Sequence, residues 1–194
     1  MQDRVKQPGD FTFDDFLAFI EDRPDEERWE LIDGVIEMNA SPANLHQIVT
    51  SNLIALLWIE ARRTGAPWFP LPGLGIHEPA QSRWAPVPDV IVRPRSQGSE
   101  SFCADAIVII EVLSPSTKRK DLFAKRSYYC SLATVQHYAI VTPDELLVRQ
   151  YDRADGWQEL VRHDVSQALE LPAIGVTLGI ADVYRNTGMV DEPA

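Results

Sequence analysis

The sequence predicts a mixed α/β fold (α+β in character) in which β-hairpins flank a central sheet. Three observations carry that expectation. Ala106 to Leu113, AIVIIEVL, is a nearly continuous apolar run of the kind covered on both faces inside a sheet. Ser114-Pro115-Ser116-Thr117 then breaks the strand and offers caps for a helix from about Lys118 to Leu132, after which VQHYAIVT returns as a strand, so strand, helix and strand form a crossover unit. Two Asp-Gly pairs, Asp33-Gly34 and Asp155-Gly156, lie between runs of β-formers and supply the positive φ angles of hairpin turns.

The remaining elements follow in chain order. Thr12 caps a first helix whose Phe13, Phe16, Leu17 and Ile20 repeat at helical spacing, and Pro24 closes it. WELIDGVIEM reads as the first hairpin. Ser41-Pro42 is an N-cap followed by proline at the first helical position, and Leu45, Ile48, Val49, Leu53, Leu56, Leu57 and Ile59 continue an apolar stripe until Gly65. Prolines and glycines between Trp68 and Ile76 forbid helix and suit an edge strand or extended loop. VPDVIVR, from Val87, is a strand around one carboxylate. Leu146 to Tyr151 and Trp157 to Arg162 make the later hairpin, and a short helix near Ile180 to Tyr184 closes the fold.

Composition bounds what the chain can do. Its 194 residues, 45% of them apolar, are enough for one ordinary core, so disorder as the main state is excluded. We expect one domain over residues 11–187, with a flexible N-terminus at 1–10 and a flexible tail at 188–194. No apolar run approaches the roughly 20 residues needed to cross a bilayer, and the polar N-terminus does not read as a signal peptide, so a cytoplasmic chain without membrane contact is expected. The net charge of −11 excludes a basic coat over the whole molecule. Eleven acids fall between Asp10 and Glu37 against Arg23 and Arg28 alone. The reverse bias occurs once, where Lys118, Arg119, Lys120, Lys125 and Arg126 crowd together with only Asp121 to offset them. That patch is the local landing site for nucleic-acid phosphates, or else a solvated helix end. Cys103 and Cys130 have no metal-like spacing and read as ordinary half-buried thiols.

Glu111 is the most informative residue, because an ionised carboxylate inside an apolar strand costs several kcal/mol unless something compensates it. Asp89 follows Pro88 in another β-like run, and neighbouring strands would bring both acids to one rim of the sheet. Two carboxylates suit Mg²⁺ or Mn²⁺, which take one or two protein carboxylates and fill the other positions with water and phosphate oxygen. A carboxylate paired with Arg or Lys, or capping a turn, is the competing account.

Pro88-Asp89 followed by Glu111-Val112-Leu113 resembles the PD-(D/E)XK nuclease signature. The longer series of WELIDGVIEM, His46 near a helix start, PDVIV, IIEVLSPST, the Asp121/Lys125/Tyr129 ladder and LPAIGVTL resembles the Uma-two family of restriction-endonuclease-like proteins, over roughly Phe11 to Tyr184. The resemblance implies a restriction-endonuclease-like core, a central mixed β-sheet flanked by helices, with metal-dependent phosphodiester cleavage. It makes Asp89 and Glu111 metal ligands and brings Glu30 and His46 into the catalytic set, Glu30 as a third metal contact or water-orienting group and His46 touching phosphate or positioning the acids. A solvated strand glutamate and a backbone-bonded histidine are the alternatives. Leu113 stands where the superfamily signature has lysine, so the helical Lys125 is the substitute. Asp121, Lys125 and Tyr129 recur every four residues on one helix face, which lets Asp121 orient Lys125 while Tyr129 packs or donates a hydrogen bond. A surface ion pair is the bland rival. The family's usual acids are replaced by His137 and Thr142 in the strand after the helix.

The leading expectation is therefore a nuclease, with DNA as the nucleic-acid partner, Mg²⁺ or Mn²⁺ as cofactor, and a homodimer in which Trp68, Trp84 and the proline-rich edge bury against a partner, the alternative being that these residues are simply core. The alternative is a catalytically inactive nuclease-fold module that binds DNA or a protein. A zinc hydrolase built from His46, His77, His137 and His163 has no matching spacing.

Overall fold

The computed structural model describes residues 7–24, 26–39, 41–114 and 119–190, without the side chains of residues 119–122. Helix α1 (Phe13–Ile20) begins at a capping box: Asp15 N–H donates to Thr12 Oγ1, and Thr12 N–H donates to Asp15 Oδ2 at 2.8 Å. Strands β1 (Trp29–Ile32) and β2 (Val35–Met38) form the expected hairpin, with Ile32 opposite Val35 and both turn residues at positive φ, Asp33 at 48° and Gly34 at 76°. A Cβ at residue 34 would lie 2.5 Å from the Gly9 carbonyl oxygen, so glycine is required there for space as well as for conformation.

Helix α2 (Asn44–Thr64) starts later than the sequence suggests. Its N-cap is Ala43, which supplies no side-chain bond, and residues 41–43 lie outside the helix. Proline lacks the N–H that a first turn leaves unpaired, so it is tolerated equally inside or just before the helix, and Pro42 does not fix the boundary. At the other end Gly65 adopts the left-handed conformation, φ 63°, and terminates the helix as expected.

The main sheet contains six strands: β3 (Trp68–Pro72), β5 (Val90–Pro94), β7 (Val108–Val112), β8 (His137–Thr142), β9 (Leu147–Asp152) and β10 (Glu159–Arg162), in the spatial order β10-β9-β8-β7-β5-β3. Short β4 (Gly75–Ile76) and β6 (Phe102–Cys103) pair beside it. β7 and β8 are parallel and joined through α3 (Arg119–Ser131), the crossover expected from sequence, while the other neighbours in the sheet are antiparallel. β5 starts at Val90, three residues after the position read from sequence, because Pro88 cannot donate to a ladder. Strands β11 (Ala168–Leu171) and β12 (Val176–Gly179) add a hairpin not read from the sequence, and α4 (Ile180–Val183) follows.

Both faces of β7 are covered. Val49, Leu53 and Leu57 of α2 belong with Val108, Ile110 and Val112 to one core, whereas Ile109 belongs with Tyr128, Tyr129 and Leu132 to the other. All five β7 residues are buried, the reason their sequence is almost unbroken apolar. Trp68 is buried in the α2 core and Trp84 stacks on Tyr128 at 4.9 Å, so of the two accounts of these side chains the structure follows the one that places them in the chain's own packing. Cys103 is buried and Cys130 half-buried; burial pushes both thiols up to about 11. Among the described residues no helix is long and apolar enough to cross a membrane.

Candidate active site

Glu111 occupies the fourth position of β7, on the same strand face as Ile109 and therefore towards α3. Extending the β5–β7 register one residue beyond Val90 and Ile110 sets Asp89 across from it. β5 ends at that point, leaving the Val112 N–H without a strand partner, and Asp89 Oδ2 accepts it at 2.7 Å. Asp89 Oδ1 lies 3.2 Å from His46 Nε2. The two sequence-predicted acids thus share one rim.

Lys125 reaches the same place from α3. Its Nζ donates to Glu30 Oε1 at 2.8 Å and to Glu111 Oε1 at 3.3 Å, and Tyr129, one helical turn on, donates to the same Glu111 oxygen at 2.8 Å. The lysine is only 8% exposed, so it is not one of the surface cations with which the sequence groups it. Glu30 is 3% exposed, which removes the solvated-glutamate account. It arrives because residues 29–32 bridge to the chain ahead of β5: Leu31 and Ala85 exchange backbone bonds, and Val87 N–H donates to Glu30 Oε1 at 2.6 Å. Glu30 therefore anchors Lys125.

Three carboxylates and one ammonium in a buried space give a strained charge balance. Burial pushes Glu111 up to about 7; Lys125 pulls it down, while Asp89 and Glu30 push it further up. Burial opposes the charge on Lys125, yet the Glu111 and Glu30 carboxylates outweigh it and raise its pKa well above that of an ordinary lysine. For His46, burial likewise disfavours the charged ring, but its bond to Asp89 and the charges of Asp89 and Glu111 leave its pKa raised. Tyr129 is held far above the usual phenol range by burial and the adjacent carboxylates.

The other predicted positions are more scattered. Lys118 lies outside the described residues, as do the side chains of Arg119, Lys120 and Asp121. Arg126 stands over the rings of Tyr151 and Phe123, at 5.0 and 5.5 Å. His137 is fully used within the fold: its Nδ1 meets Asp152 Oδ1 at 2.6 Å, and its Nε2 accepts from Ala173 N–H at 3.1 Å. His77 stacks on Phe13, and His163 is exposed. Among the described residues no group of three or more His, Cys, Asp or Glu is arranged to hold a metal, so the four histidines form no zinc centre and Glu30 does not join Asp89 and Glu111 as a third metal contact.

A groove of about 220 Å³ opens beside His46 and Asp89 and also takes in Arg28, Gln47, Ser51 and Gly73. Sequence reasoning missed it. Arg28 stands two residues before Glu30, the one local signal that it accompanies the site.

Comparison with known proteins agrees with this architecture. The profile of the Uma2 family, described as "Putative restriction endonuclease", matches residues 13–181. An uncharacterized protein from Synechocystis, slr1290, is 32% identical over 101 residues; that match spans 50% of this chain and 53% of the relative, so only about half the length of that protein is compared. A solved structure from Anabaena variabilis, titled a putative nuclease belonging to DUF820, superposes with a TM-score of 0.74 at 20% identity, covering 90% of this chain and 97% of the other. At that identity the likeness establishes a shared fold. With the family profile running through every element from α1 to the start of α4, the chain belongs to the Uma2 family of putative restriction endonucleases.

Proposed function

We propose that this protein is a metal-dependent nuclease that hydrolyses phosphodiester bonds in DNA, with Asp89 and Glu111 as the metal ligands. The observation that carries the proposal is the pairing of these acids across β5 and β7 with a buried lysine donating to one of them. The donor set fits Mg²⁺ or Mn²⁺: the oxygens are hard, two carboxylates suffice, and the described hydrogen bonds to Glu111 all land on Oε1. Burial also makes a third negative charge costly here, and a divalent cation would offset it. Such a cation supplies Lewis-acid stabilisation of a phosphate and activation of water.

The chain's own groups have separable roles. Lys125 keeps its proton across the neutral range and offers it as a hydrogen bond to charge developing on a phosphate oxygen. Glu30 holds that lysine in place while His46 fixes the Asp89 carboxylate. Tyr129 orients Glu111. These assignments predict that Asp89→Asn, Glu111→Gln and Lys125→Met each lower cleavage of plasmid and oligonucleotide DNA in Mg²⁺ or Mn²⁺ by about 100-fold or more, and that EDTA abolishes it. Equal cleavage by the Asp89→Asn protein, or cleavage persisting in EDTA, would contradict them. The closed contact of Lys125 with two carboxylates favours one second reading, a nuclease-fold module that binds DNA or a protein without cutting; wild-type protein that binds DNA but never turns over would select it.

A further inference from the structure

The groove beside Asp89 has a composition that the acid pair does not explain. Arg28 is exposed on its wall and, among the described residues, has no carboxylate partner although it lies in the most acidic segment of the chain. The neighbouring Arg23 is differently employed, its guanidinium lying 4.4 Å from the Phe19 ring centroid. Gln47 and Ser51 are both exposed and four residues apart, so they line one face of α2 along the groove. The nearby start of α2 has no side-chain cap, and its first-turn N–H groups, which have no acceptor within the helix, add partial positive charge. Gly73, in the left-handed conformation at φ 64°, forms part of the rim, and nothing lies within 4 Å of where its Cβ would be.

One guanidinium, one amide and the hydroxyl-bearing Thr50 and Ser51 beside Asp89 form a polar trough for a singly charged, oxygen-rich chain. Its volume of about 220 Å³ is below the roughly 300 Å³ at which pockets begin to enclose a drug-sized ligand, so it holds a single backbone unit and not a base pair. We infer that this groove binds the phosphodiester unit adjacent to the one cleaved, with Arg28 pairing to its phosphate and Gln47 and Ser51 hydrogen-bonding to the sugar-phosphate oxygens. The inference rests on the nuclease reading of the acid pair and adds the residues that grip the strand.

Fluorescence anisotropy with a fluorescein-labelled DNA duplex and its single strand, in EDTA across a salt series, tests it without relying on turnover. Arg28→Ala is expected to weaken binding about tenfold and to reduce the slope of log affinity on log salt by about one. Arg28→Lys should retain the slope. Arg63→Ala, at an exposed arginine already paired with Glu60 on the same helix, should change neither. Unaltered affinity and slope in Arg28→Ala would overturn the groove assignment. Cleavage assays on the same proteins separate the two levels. Wild type that cuts DNA while Arg28→Ala binds like wild type refutes the groove alone, and wild type that binds with the expected Arg28 dependence but never cuts refutes the nuclease reading alone. Wild type that neither binds nor cuts overturns both.

Discussion

Replacing Lys125 with methionine leaves Glu30 and Glu111 buried near one another without the ammonium that both now contact. A buried charge stripped of its partner typically costs about 3 to 5 kcal/mol, so urea denaturation of Lys125→Met in EDTA at pH 8 should show a loss of about that size. The loss should shrink at pH 5.5, where the mutant's Glu111 takes up a proton. Wild type carries the same dependence in weaker form. Because folding raises Glu111 from 4.5 to about 7, the folded state binds more protons between those values, and the stability this contributes is present below pH 4.5 and lost as pH rises through 7. The raised pKa of His46 acts in the same direction, its contribution present below 6.5 and lost as pH rises through the folded value. Metal-free protein should therefore lose stability from mildly acidic to neutral pH, and Glu111→Gln should flatten that decline. A wild-type stability that rises over this range would contradict the charge balance described for the site.

At the scale of elements, α2 begins without a side-chain cap of its own. Ala43 at the N-cap offers no oxygen to the first-turn N–H groups, and serine there would supply one. Ala43→Ser should stabilise the protein by about 1 kcal/mol, read as a higher urea midpoint with unchanged slope. An unchanged midpoint would mean that those N–H groups already have partners. What could be read in advance divides along similar lines. The Asp33-Gly34 hairpin, the buried β7, the α3 crossover and the Lys125/Tyr129 face all rest on spacing within a few residues, and each is where the sequence places it. The start of α2 was misplaced because proline is tolerated on either side of a helix boundary. The β11–β12 hairpin escaped notice because its turn is a short 3₁₀ segment, Pro172–Ile174, closed by Gly175, and not an Asp-Gly pair. The bond from Lys125 to Glu30 joins residues 95 positions apart, and no local pattern announces such a contact.

The whole molecule carries a net charge of −11, yet its candidate site gathers the lysine and a histidine with a raised pKa around two facing acids, with Arg28, which has no carboxylate partner among the described residues, in the groove beside Asp89. The sheet makes this possible. β5 and β7 bring Asp89 and Glu111 together, the β1–β2 hairpin delivers Glu30 by bridging to Ala85, and the helices on opposite faces supply His46 and Lys125. Elements distant in sequence thus meet at one sheet rim, where the acids' shared negative charge is only partly balanced from within the chain. Isothermal titration of Mn²⁺ and Mg²⁺ into metal-stripped wild type and Glu111→Gln measures that imbalance directly. The proposed site predicts a single divalent ion bound by wild type at pH 7.5 and binding lost, or weakened at least about tenfold, in the folded Glu111→Gln protein. Folded wild type that takes up no divalent ion, with DNA present or absent, would contradict it.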